Sequence, residues 1–198
     1  LLGTAGGAGW TVRYFDAWNG GREMTAQATS LAGYGWTNVP SGTVKAFRIE
    51  VTAGLNAVGD QAKDVLVTVR PDSTPNRRDT SKASTRCLPR TQPDLLVRRE
   101  YDVRFVGDNV YNTTGSGQTK AQETDPEVPA PYFIQLVNDG NLTDHFLVQA
   151  YSAVEGWRVH YFDAGVGGSD ITDEVTGGGW LSPALPLNAT RDLRVEVA

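Results

Sequence analysis

Residues 10–21 read WTVRYFDAWNGG and residues 157–168 read WRVHYFDAGVGG, with eight of twelve positions identical at a constant offset of 147. The match runs on. Gly35-Trp36 corresponds to Gly179-Trp180, and Arg48-Ile49-Glu50-Val51 to Arg194-Val195-Glu196-Val197. An ordered series of this kind, turns included, is the mark of an internal repeat. It constrains the fold more than any other feature, because whatever residues 10–51 build must be built again by residues 157–197.

The repeat is out of phase with the chain. With a period of about 147, the 198 residues hold about one and a third units. Residues 1–90 read as the C-terminal part of one repeat and residues 91–198 as the N-terminal part of the next. A full unit would run like 92–198 followed by something like 52–90. The chain opens Leu1-Leu2-Gly3, without an initiator Met or signal peptide, so the expectation is a processed chain or a window of a longer one.

Inside each part the apolar residues alternate with period two, and a period of 3.6 is almost absent. Trp10, Val12 and Tyr14 alternate with Thr11 and Arg13, as Trp157, Val159 and Tyr161 do with Arg158 and His160. The runs 47–51, 65–69, 101–105 and 193–197 follow the same rule, and each predicts a strand with one wet face. Asn138-Asp139-Gly140-Asn141 predicts a hairpin between 132–137 and 143–151, since Asn and Gly tolerate positive φ. Gly54 to Gly59 separates 43–52 from 62–70. Residues 80–86 suit an edge strand, and the stretch through Pro89 to Pro93 suits a linker. Residues 112–131 are polar and long for a connection, which predicts a mobile or functional excursion. Short strands between frequent turns point to an all-β fold of antiparallel sandwiches.

Composition narrows the function classes. The net charge is −5, and the densest basic pairs, Arg77-Arg78 and Arg98-Arg99, are flanked by Asp79, Asp94, Glu100 and Asp102. No basic stripe exists to neutralise phosphates, so nucleic acid is not an expected partner. No apolar run approaches the ~20 residues of a membrane span. Cys87 is the single cysteine, which excludes an internal disulfide and a paired-cysteine metal site; it reads as a spare residue in a linker, with an intermolecular disulfide as the alternative.

The run from Pro129 to Ala198 resembles the Ig-like repeats of bacterial and archaeal surface proteins, related to the CARDB and NEW3-type modules. The likeness rests on the Asn138 to Asn141 turn, Phe146 in the following strand, Gly156-Trp157 leading another, and the closing Leu-x-Val-x-Val strand at 193–197. Gly59 to Val65, Ser73-Thr74-Pro75 and Asp79 look like the closing strands of the same class. The resemblance covers most of the chain except 108–128. It implies Ig-like sandwiches in tandem, with strands completed by a neighbouring repeat or subunit, and a role as a stalk, filament unit, adhesive or accessory domain.

Side chains that could carry chemistry are few. His145 and His160 are the only histidines, each in a predicted strand and without a partner cluster, and there is no GxSxG. No catalytic residue is assigned, and no enzyme is expected. Asp163, Asp170 and Asp173, with Glu174, surround a Gly-rich loop and are the candidates for Ca²⁺. Against them, the spacing is not an EF-hand, and Asp is a default turn residue. Asn138, Asp139, Asn141 and Asp144 crowd a second turn. Sequons fall at Asn112, Asn141 and Asn188. Trp10, Trp36, Trp157 and Trp180 are two equivalent pairs, which favours packing. Trp18 has Gly165 as its equivalent and sits in a turn, so it is the candidate interface or ligand residue.

The resulting expectation is a non-catalytic, extracellular or cell-surface structural and adhesive protein. Its partners would be copies of itself or adjacent repeats, joined head to tail by strand complementation. The alternative is a carbohydrate-binding accessory module of a secreted enzyme, with glycans as partners.

Overall fold

In the computed structural model, which describes residues 1–198, the alternating runs become antiparallel strands, and the chain divides into two compact units, Leu1–Pro89 and Arg90–Ala198. The division falls in the stretch read as a linker.

Unit 1 holds β1 (Leu2–Gly3), β2 (Trp10–Phe15), the one-turn helix α1 (Thr25–Ala28), β3 (Arg48–Ala53), β4 (Ala62–Val69) and β5 (Asp79–Arg86). They form two sheets, β2-β3 and β1-β4-β5. Val12 and Tyr14 of β2 are buried, as are Val65 and Val67 of β4, while Thr11, Arg13, Asp64 and Leu66 lie outside. The two inward rows meet in one cluster with Met24 and Ala28, and Phe47, Ile49, Val51, Leu1 and Tyr34 pack round it. Trp10, Ala57 and Cys87 make a second cluster beside it. Cys87 is therefore a core residue just after β5, not a spare residue of a linker.

Unit 2 holds β6 (Pro93–Arg99), β7 (Ala130–Asn138), β8 (Leu147–Val148), β9 (Val159–Phe162), the helix α2 (Thr172–Thr176), β10 (Trp180–Leu181) and β11 (Thr190–Val197). Its main sheet runs β6-β7-β11-β9, with every neighbour antiparallel, and β8 pairs with β10. One face of the main sheet carries an alternating row, Arg98, Phe133, Arg194 and Phe162, in cross-strand register. The Arg98 guanidinium lies 4.2 Å over Phe133, and that of Arg194 4.0 Å over Phe162. Leu136, Phe146 and Leu185 form the buried cluster on the other face.

Two local expectations give way. Residues 101–105 are not a strand. The Asp102 carboxylate takes the Arg99 amide at 3.0 Å and the Arg99 side chain at 3.0 Å, and Lys120 lies 3.0 Å away. These bonds, the Arg99 side chain first, hold its carboxyl well below the usual range. They turn the chain sharply after β6, leaving Tyr101 and Val103 exposed. The Asn138 to Asn141 turn also makes no hairpin, because β7 already has β6 on one edge and β11 on the other. Asn138 is buried and sends its amide to the carbonyls of Leu142 and Leu185, both at 2.7 Å, which steers the chain away toward β8.

Candidate functional site

The two matching segments make the same bonds. In unit 1, β2 pairs with β3 so that Val12 faces Val51, Tyr14 faces Ile49 and Phe15 faces Arg48. In unit 2, β9 pairs with β11 so that Val159 faces Val197, Tyr161 faces Val195 and Phe162 faces Arg194. Arg48 lies 4.2 Å over Phe15, holds Glu50 at 2.9 Å and donates to the carbonyls of Trp18 and Gly20. Arg194 does the same with Phe162, with Glu196 at 2.7 Å, and with the carbonyls of Gly165 and Gly167. The Tyr14 amide donates to Thr25 Oγ1 at 2.9 Å, and the Tyr161 amide to Thr172 Oγ1 at 2.9 Å. Each loop closes on a glycine, Gly21 at φ 83° and Gly168 at φ 85°, where a Cβ would strike the loop's own backbone.

The same segment meets different surroundings. In unit 1, Tyr14, Ile49, Phe47, Met24 and Ala28 are covered by Val65 and Val67 of β4. Burial and a bond to the Thr4 carbonyl accompany the Tyr14 hydroxyl, and burial, the larger effect, pushes its pKa up to about 12. In unit 2, the equivalents Tyr161, Val195, Leu193, Ile171 and Val175 line an apolar cavity of about 190 Å³ that also touches Leu95. Beside it, Trp157, Val159 and Val197 line a second hollow of about 680 Å³ with Ala130, Tyr132 and Val154. Trp10 is 8% exposed, and its equivalent Trp157 is 53% exposed. Trp157 is therefore not the packing residue that its pairing with Trp10 predicted. The residues that bury Trp10, namely Ala57 and Cys87, come from outside the repeated segment. Ile171, Val175 and Leu193 are themselves buried, so the open part of this face is its Trp157 end, which is the candidate site and can offer an apolar contact.

The residues singled out from sequence fall as follows. Trp18 is 76% exposed, with only its carbonyl engaged by Arg48. Asp163 accepts the Ser169 amide at 2.7 Å and lies 3.5 Å from Arg191; Asp16 does the same for Arg22 at 2.8 Å. Asp170 accepts the Thr172 amide at 2.9 Å and contacts His160 Nδ1 at 3.0 Å. Bonds from Thr172 first, and then His160, pull its carboxyl down to about 2. Asp173 sits in the first turn of α2. The structure gathers no group of three His, Cys, Asp or Glu side chains able to hold a metal ion. Asn112 and Asn188 are exposed, whereas Asn141 is 7% exposed and its Oδ1 takes the Arg90 amide at 2.7 Å. In the fold the Asn141 side chain is thus held in place, whereas the other two sequon asparagines face solvent. His145 Nδ1 rests 2.9 Å from the Ser182 carbonyl.

Sequence reading missed Asp94. It is 2% exposed, one oxygen takes the Asn109 amide at 2.8 Å, and the other has no partner. Burial, with Asp139 and Asp108 adding repulsion, raises its pKa. It tethers the 100–129 connection to β6, which is bonded along its length, as in Gln122 to the Pro131 carbonyl at 3.0 Å. Nothing in the sequence separates this aspartate from the solvated ones, because its burial is made by a loop 15 residues away.

No protein-family model, curated protein or solved structure matches the chain. The molecule is a mostly β chain of several antiparallel sheets, and no helix is long and apolar enough to cross a membrane.

Proposed function

We propose that this chain is a structural building block of an extracellular filament or stalk, made of Ig-like sandwiches that neighbouring repeats or subunits complete. It works by packing and strand pairing and carries no catalytic centre. One observation carries the reading: the tryptophan end of the same bonded segment is covered in unit 1 and open in unit 2. A buried-type surface left open is unfavourable for an isolated protein, at roughly 25 cal/mol for each Å² of apolar area that water keeps touching. Joining units head to tail removes that penalty, and contacts of this kind do not close, so they propagate into fibres. Sharing of function between identical residues fits as well. Arg48 and Arg194, Asp16 and Asp163, and Thr25 and Thr172 each hold backbone. Electron microscopy of the native material tests the reading. Filaments with a regular axial repeat are expected, and separate particles at every concentration would overturn it.

Trp18 supports the second reading, a polysaccharide-binding accessory module, since an exposed indole offers a flat face to a sugar ring. That reading requires retention on a glycan panel that Trp18→Ala abolishes.

A further inference from the structure

We infer that the open face of unit 2 is a docking site for a strand pair of a neighbouring polypeptide, with the pattern that residues 54–87 show in unit 1. The inference rests on the filament reading and names the part of the partner that the face would take.

The template lies within the chain. Glycine 9 and its equivalent Gly156 share a backbone shape, φ 85° and 86°, and each precedes a tryptophan whose amide bonds back three residues at 3.0 Å. In unit 1 the Gly9 carbonyl accepts the Gly54 amide at 2.7 Å, and a Cβ on Gly9 would meet Ala57 backbone at 2.9 Å. A Cβ on Gly156 would meet nothing within 4 Å. The space that Asn56-Ala57 fills in unit 1 is thus empty in unit 2, beside the exposed indole of Trp157. The smaller cavity marks where the seat is partly closed. Tyr161, Val195, Leu193, Ile171 and Val175, the equivalents of residues that enclose Val65 and Val67, line it together with Leu95, Ile134 and Val148; Ile171, Val175 and Leu193 are buried, and about 190 Å³ stays unfilled among them.

Backbone bonding agrees. In unit 1, β4 docks on β1, with Leu2 opposite Thr68 and the Thr4 amide donating to the Leu66 carbonyl at 3.0 Å. At the offset of 147, Leu2 and Thr4 become Gln149 and Tyr151. The Ala150 amide between them donates to the Val175 carbonyl at 3.1 Å, and Gln149 beside it is exposed just past the end of β8. Tyr151 is exposed. The occupant so defined is a strand with alternating branched apolar residues, like Val65 and Val67. A small residue such as Ala57 must precede it to sit against Trp157, and antiparallel bonds would run to 149–151.

The test uses the whole 198-residue chain and a fluorescein-labelled synthetic peptide of residues 52–89 under reducing conditions, read by anisotropy. Saturable binding is expected. It should weaken about tenfold or more when the peptide carries Val65→Asp and Val67→Asp, and likewise when the chain carries Trp157→Ala or Val159→Asp. Trp18→Ala should leave it unchanged. Circular dichroism of each variant checks folding, and half-exposed Trp157 is the variant least able to unfold its unit. No binding, or equal binding by the aspartate peptide, would overturn the inference. So would binding that ignores Trp157→Ala and Val159→Asp but is lost in Trp10→Ala, which reports exchange into unit 1. Self-association of the chain through this face, abolished by Val159→Asp and competing with the peptide, would replace the strand pair with a second copy's face and also overturn it. Filaments without peptide binding sink this inference alone; peptide binding with only separate particles sinks the filament reading alone.

Discussion

Units 1 and 2 carry closely matching segments and bury the strand that leads each to different depths. Their internal bonds, strand register, arginine clamp and loop staple are the same to within a few tenths of an ångström where measured, as with 2.9 Å for both threonine hydroxyls. What differs is burial, which depends on β4 and the turn before it and not on the segment itself. Local bonding is written in local sequence. Burial is contributed by whatever strand arrives from elsewhere, so two sites of matching sequence can have unequal energetic weight.

The largest effect expected from that difference is at the paired tryptophans. Trp10→Ala removes a packed indole from the cluster with Ala57 and Cys87 and should cost about 3–5 kcal/mol. Trp157→Ala, at a half-exposed indole, should cost under about 1 kcal/mol. Urea unfolding followed by circular dichroism measures both. Equal losses would break the comparison by placing cover over Trp157. If a docked strand pair buries Trp157, the gap between the two variants should narrow in its presence.

A smaller and equal effect is expected at the loop staples. Asp16→Ala and Asp163→Ala each remove a carboxylate that accepts one backbone amide, at 2.8 and 2.7 Å, on a solvated loop. Each should cost about 1 kcal/mol, toward the lower end for a charged acceptor because water can replace it. Asn, which keeps an acceptor oxygen, should recover part of the loss in both. A loss at Asp163 several times that at Asp16 would mean the two loops are not built alike, and would reopen a separate role for the Asp163, Asp170 and Asp173 group.

Much of the strand content was legible because it is written in neighbouring residues. Trp10-Val12-Tyr14 and Val65-Val67 alternate and are buried as they alternate. The repeat made Tyr161 opposite Val195 readable once Tyr14 opposite Ile49 is allowed. What stayed illegible depends on distant partners. Asn138 has ideal hairpin chemistry, and only the occupation of both β7 edges stops the hairpin. Tyr101, Val103 and Phe105 alternate like a strand, and only Asp102, held by Arg99 and Lys120, bends them. The open face was hidden for the same reason: Trp10 and Trp157 sit in the same local sequence, and exposure is decided by residues that the repeat does not contain.

The smallest effect distinguishes the two segments by pH. Asp170 stands where unit 1 has Glu23, whose carboxylate takes the Thr25 hydroxyl at 2.9 Å. In unit 2 the Thr172 hydroxyl and amide, and then His160, draw the Asp170 carboxyl from 3.8 down to about 2. A folded-state value below the unfolded one adds stability that is fully present above about pH 4 and is lost as pH falls through about 2. The side chain is 48% exposed, so solvent screening holds the contribution under about 1 kcal/mol. Asp170→Asn should flatten the acid limb of the unfolding free energy between those two pH values and leave the neutral plateau nearly unchanged in slope. An unaltered acid limb would show that the Thr172 bonds do not persist in solution. The loop of unit 2 would then rest on Asp163 and on Arg194, which holds the Gly165 and Gly167 carbonyls, and the alanine variant at Asp163 should lose more than the one at Asp16.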